Sequence, residues 1–127
     1  MSPTDIIAHW QEGAIEDQKA AEAMYTSGHY HWALFLWHLT LEKLLKALLT
    51  KKDHEIPFTH SLVLLSEMAD INPTPTEKEE LKEITSFNLE ARYDDYKLTF
   101  YKKATRGYAD TWISVCKKWQ ATIKARL

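Results

Sequence analysis

Glycine and proline are scarce in this chain, three and four respectively among 127 residues. So few turn-formers exclude the many short connections of a β-sandwich or barrel and point to long regular elements, an all-α fold. Cysteine is scarcer still: Cys116 stands alone, so no internal disulfide can form. The opening MSPTDIIAHW has neither the basic nor the apolar region of a secretory leader, and an intracellular, cytoplasmic protein is expected. An uninterrupted apolar run of the roughly 20 residues that a membrane span needs is also missing. The nearest approach, YHWALFLWHLTLEKLLKALL from Tyr30 to Leu49, carries Glu42, Lys43 and Lys46. At about 2.5–3.5 kcal/mol per central charge in a bilayer, that stretch is better read as a helix buried in protein, with no membrane partner.

Several chemistries are excluded in the same way. There is no glycine-rich phosphate loop, no HExxH and no CxxC. Six histidines are present, but His29 and His31 stand at a helix start and no carboxylate–histidine set has the tight spacing of a metal site, so neither a metal nor a cofactor is expected. Cys116 falls on the apolar stripe of the last helix, the place of a small core residue rather than a nucleophile.

What is present suits one helical domain over residues 1–127, with 45% hydrophobic and 12% aromatic residues to build its core. Five helical segments are predicted. The first runs from about Pro3 to Thr26, capped by Ser2 or Thr4 and stopped at Gly28, with Ile7, Trp10, Ala14, Ala21 and Met24 on its apolar side. The second, about His29 to Lys52, has two apolar stripes, Leu34/Trp37/Leu41/Leu44/Leu48 and Trp32/Phe35/Leu36/Leu39, and two stripes need two partners. A third helix is expected from Ser61 to about Asp70. Thr74, Pro75 and Glu77 start a fourth with a capping box, ending near Arg92. The segment YDDYKLTFYKK is predicted to be an ordered loop or a broken continuation of helix four, and the last helix begins near Thr105.

The net charge of −2 conceals an uneven distribution. Residues 1–96 hold 8 Lys or Arg and 17 Asp or Glu, whereas residues 97–127 hold 8 and 1. A basic final helix lying on acidic neighbours and a surface for RNA or another polyanion both fit this pattern.

The residues most informative about function are polar ones that interrupt apolar patterns. Asp17 breaks the stripe of helix one, and His38, Glu42 and Lys46 follow one another at four-residue steps on one face of helix two. Charges so placed need partners. Asp17 and Glu42 are therefore expected to meet Lys46, His60 or Arg92, either as a network that fixes helix register or as the lining of a ligand groove.

In its order of motifs the chain resembles the HEPN domain, the helical domain of higher eukaryotes and prokaryotes named for nucleotide binding. Gly28, Tyr30 and Trp32 ahead of a phenylalanine, then Glu42, Lys46 and Leu48, resemble the family's Y-x-x-A-x-F…A-x-E-x-x-L-K-A-L. Thr59, His60, Ser61 and Leu62 resemble its [TG]-H-[SD]-L, and Ala91, Arg92 and Tyr93 its A-R-Y-P. The resemblance implies an up-and-down bundle of four to five helices, a homodimer, and a minimal nucleotidyltransferase as partner in a two-gene module of toxin–antitoxin type. It implies nucleotide or RNA as ligand, and the polar residues singled out above, Asp17, His38, Glu42, Lys46, His60 and Arg92, with Tyr93 beside them, are the expected binding residues. Ribonuclease branches of the family carry an Arg followed after four to six residues by His. Here the last histidine is His60, so neither Arg92 nor Arg106 can supply that pair. Asp94 also replaces the proline after Arg-Tyr, and His38 and Leu39 replace a paired Gln. A non-catalytic binding module is thus expected. The alternative is a ribonuclease toxin whose diverged site draws on His60, Arg92, Tyr93 and Tyr96.

Overall fold

The computed structural model describes all 127 residues as six helices with no strand: α1 Pro3–Thr26, α2 Tyr30–Lys51, α3 Leu62–Met68, α4 Pro75–Arg92, α5 Thr99–Lys103 and α6 Arg106–Lys124. The helix starts follow from local chemistry. Ser2 and Asp5 form a capping box ahead of Pro3, and Thr74 and Glu77 form another around Pro75. Ser61 and Thr105 accept from the backbone N–H groups of Leu64 and Tyr108 at the starts of α3 and α6. Gly28, at φ 79°, makes the left-handed turn that reverses the chain between α1 and α2.

Helix α2 is the axis of the fold, and all the other helices pack on it. Its first stripe, Leu34, Trp37, Leu41, Leu44 and Leu48, is buried against α4 and α6 in a core that also includes Leu62, Leu65, Phe87, Phe100 and Trp119. Ala33, Thr40 and Ala47 form a fully buried row at seven-residue spacing, and α1 presents Ala14 and Ala21 at the same spacing. Small side chains on both helices let the α1–α2 hairpin close tightly, and α1 packs almost wholly on α2. The second stripe has no such cover within the chain: Trp32 is exposed, and Phe35, Leu36 and Leu39 are half-buried.

The basic C-terminal region lies partly on acidic α4, with Lys118 Nζ 2.8 Å from Glu80, Lys103 Nζ 3.0 Å from Glu83 and the Tyr108 hydroxyl donating to Glu83 at 2.7 Å. No helix is long and apolar enough to cross a membrane. The segment after α4, expected as an ordered loop or a broken continuation of that helix, is part loop and part separate helix. A short loop leads into α5, whose Phe100 is buried against Phe87 at 5.8 Å between ring centroids.

Candidate functional site

Glu42 is the centre of the polar cluster. Its residue is only 5% exposed, yet both carboxylate oxygens are engaged: Oε2 accepts from Lys46 Nζ at 2.9 Å and Oε1 from His60 Nδ1 at 2.8 Å. Burial alone would raise the pKa of the carboxyl. The hydrogen bonds from Lys46 and His60, with the nearby charges, outweigh it and hold Glu42 below its usual value, ionised at neutral pH. Helix periodicity provides the Lys46 contact at i+4, whereas the His60 contact depends on the loop ahead of α3.

His38 fastens that loop from a second direction. Its ring is fully buried, and Nε2 donates to the backbone carbonyl of His60 at 3.0 Å. Desolvation lowers its pKa, against the pull of Glu42, so the ring is neutral and its Nδ1 has no partner. His60 is thereby held at its main chain by His38 and at its ring by Glu42. With Nδ1 donating to Glu42, Nε2 is an acceptor on a side chain that remains 56% exposed. A histidine held by a buried carboxylate meets a hydrogen-bond donor from solvent without first being ordered.

Asp17 does not join this cluster. The expectation that it would meet Lys46, His60 or Arg92 is corrected by an ion pair with Lys43 Nζ at 2.7 Å. Lys43 crosses to α1 because Gly13 leaves room for its stem: a Cβ on Gly13 would lie 3.1 Å from Lys43 Cδ. Lys46 turns its other side to Trp10, 5.4 Å from the ring centroid. Arg92 also lies apart from the Glu42 contacts. Its Nε donates to the Asn88 carbonyl at 2.9 Å, and its guanidinium lies 5.7 Å from the Phe35 ring centroid and 5.2 Å from that of Tyr93.

The seven expected site residues therefore divide into three groups: His38, Glu42, Lys46 and His60 together, Arg92 with Tyr93, and Asp17 with Lys43. Arg92 belongs to an aromatic ladder along the uncovered stripe of α2. Trp32 meets Phe35 at 5.9 Å and His31 at 5.2 Å, and His31 meets Tyr101 of α5 at 5.1 Å. Two surface clefts, of about 430 and 300 Å³, are not lined by His38, Glu42, Lys46 or His60; Tyr93 borders the second, beside Asp94 and Asp95.

The sequence profile of the HEPN domain matches residues 7–124. The chain belongs to the HEPN domain family. No curated protein matches it. Among solved structures it is similar to the crystal structure of TT1696 from Thermus thermophilus, with a TM-score of 0.80 and 20% identity over 95% of this chain and 98% of that one. At that identity the likeness concerns the fold alone. All seven expected site residues fall inside the matched HEPN region.

The departures from the HEPN pattern have local explanations. Asp94, in place of proline, accepts from the backbone N–H groups of Phe100 and Tyr101 at 3.0 and 2.9 Å and so ties down the start of α5. His38, in place of glutamine, still presents an N–H to the His60 carbonyl. Sequence reasoning missed the roles of Lys43, Trp10 and Asn88. Gly13 was the available signal for Lys43, because glycine inside a helix costs about 1 kcal/mol relative to alanine and marks close approach.

Proposed function

We propose that this HEPN protein is a non-catalytic module that forms a homodimer through the uncovered face of α2 and binds a nucleotide, or a nucleotidyltransferase partner, at the edge of that face. The observation that carries the reading is the Trp32–Phe35–Arg92–Tyr93 ladder. A contiguous aromatic surface on the central helix of a small bundle suits burial against a second copy by two-fold symmetry. At its edge, Arg92 combines a guanidinium fork for phosphate with neighbouring rings on which a base can stack. The Glu42–Lys46–His60 cluster stands in this reading as the support that fixes the α3 approach, with His60 as its outward-facing group. A cytoplasmic setting and a two-gene module with a minimal nucleotidyltransferase accord with it.

Light scattering of the purified chain should report about twice 14.8 kDa, and Phe35→Glu should return it to one copy. ATP or GTP should raise the melting temperature, and Arg92→Ala should remove that rise without unfolding the protein. A monomeric wild type would end the dimer reading, and a melting temperature indifferent to every nucleotide would end the ligand reading.

One observation favours a second reading, a ribonuclease with a rebuilt site. Glu42 holds His60 with Nε2 as an acceptor, the orientation a general base requires. Metal-independent cleavage of a structured RNA that disappears in His60→Ala would establish this reading in place of the first.

A further inference from the structure

Away from the α2 stripe, α1 and α6 stand apart over α2 and leave a groove of about 430 Å³ between them. The helical repeat places Trp37, on its floor, roughly 150° around α2 from the centre of the Trp32/Phe35/Leu36/Leu39 stripe. Two hydrogen bonds span from α1 to α6, one from the Tyr25 hydroxyl to Asp110 and one from Gln120 Nε2 to Gln18 Oε1 at 2.6 Å. Between these ties the groove carries charges of both signs. Glu22 stands on α1, while Asp110, Ser114 and Lys117 follow at helical spacing on α6.

These charges do not neutralise one another. The adjacent Lys118 of α6, by contrast, pairs with Glu80 at 2.8 Å. Glu22, Asp110 and Lys117 form no ion pair with any side chain within 4.0 Å. Asp110 accepts from Tyr25 and Glu22 from Gln18 Nε2 at 3.1 Å, neutral contacts that orient both carboxylates. Arg106, exposed one turn earlier on α6, has its pKa raised chiefly by Tyr25 and to a lesser degree by Tyr30 and Asp110, and it forms no ion pair with Asp110. Ile113 and Trp37 provide an apolar floor. A cleft of this size with an apolar base and a few convergent polar groups has the general form of a small-molecule site.

We propose that the α1/α6 groove binds a small zwitterion of the apolar α-amino acid class. Lys117 and the Ser114 hydroxyl receive the ligand carboxylate, Glu22 and Asp110 receive its ammonium, and the side chain lies over Ile113. A simple anion would meet two carboxylates, and a simple cation would meet Lys117. Only a ligand carrying both charges satisfies the carboxylates and the ammonium together. The site is separate from the α2 stripe and does not depend on the function proposed above.

The test uses the full chain with L-leucine, L-methionine and L-phenylalanine as probes, read by thermal unfolding and by isothermal titration calorimetry. At least one probe is expected to bind and, at a tenfold excess over its Kd, to raise the melting temperature by about 5 °C. Leucinamide, which lacks the carboxylate, and 4-methylpentanoate, which lacks the ammonium, should leave it unchanged. Lys117→Gln and Glu22→Gln alter exposed positions, so each should keep the melting temperature of the free protein while losing the response. Absence of binding by all three probes at about 10 mM, where affinity is already only a few kcal/mol, overturns the proposal. An equal response to leucinamide, or a response that survives in both variants, overturns it too. Loss of nucleotide binding in Arg92→Ala has no bearing on this groove, so the two sites can fail separately.

Discussion

His38 and Glu42 connect the polar cluster to pH through the same sign. His38 is neutral in the fold with a pKa below its ordinary 6.5, so on acidification the unfolded chain takes up the proton first. Glu42, held below 4.5, behaves likewise at lower pH, because the unfolded carboxyl protonates before the folded one. In both windows the unfolded state binds more protons, so stability falls as pH falls. The melting temperature is expected to begin declining below about pH 6.5 and to decline more steeply below about pH 4.5. His38→Gln keeps an N–H for the His60 carbonyl and should flatten the upper limb. Glu42→Gln should reduce the lower limb and cost about 1–3 kcal/mol at neutral pH, because Lys46 and His60 lose the carboxylate that compensates them. Thermal unfolding measured across about pH 4–8 checks both; an upper limb of the same slope in His38→Gln would remove His38 as its source.

Among the elements, α5 shows most clearly what holds a short helix. Its five residues supply too few backbone hydrogen bonds to sustain it in isolation. It is instead held at its start by Asp94 and Asp95, whose carboxylates accept from the N–H groups of Thr99, Phe100 and Tyr101, and from below by the burial of Phe100. The entry is strained. Leu98 precedes α5 at φ 54°, ψ 46°, a left-handed conformation costing a non-glycine residue about 1–2 kcal/mol, whereas the other positive-φ residues outside glycine are Asp53, Asp70 and Asn72. Asn adopts this conformation more readily, and Leu98 is half-exposed with little packing to lose. Leu98→Asn should therefore raise stability by about 0.5–1 kcal/mol, visible as a higher denaturation midpoint in urea at unchanged slope. A lower midpoint would mean that the Leu98 side chain contributes more through packing than its backbone loses. The long helices were legible because caps and periodicity are local: Thr74, Pro75 and Glu77 mark the start of α4 in the sequence as clearly as in the fold. Helix α5 was not, since its supports are a tertiary contact and two side chains in the preceding loop.

At the scale of the whole molecule, the uncovered stripe of α2 relates association to stability. If the folded chain is dimeric, mass action stabilises it as protein concentration rises. The melting temperature should increase by several degrees between about 1 and 100 µM protein, and Phe35→Glu should abolish that dependence by placing a charge in the shared apolar surface. Calorimetry at the two concentrations reads it directly. A wild-type transition independent of concentration would leave Trp32 and Phe35 as surface residues of a monomer.

The sequence by itself determined the helical class, the order and caps of the long helices, and the two-sided character of α2, because each depends on residues within a few positions of one another. It also determined the Glu42–Lys46 pair, which an α-helix sets at i, i+4. Which distant residues completed the charges was decided only in three dimensions. Asp17 found Lys43 because Gly13 lets the lysine stem pass. Arg92 stacked on Phe35 and Tyr93, outside the Glu42 contacts, because the C-terminal turn of α4 ends beside the open stripe of α2. Residue spacing shows that a buried charge requires a partner, but the choice among several lysines and arginines depends on helix crossing and on the room each side chain finds, which only the packed bundle fixes.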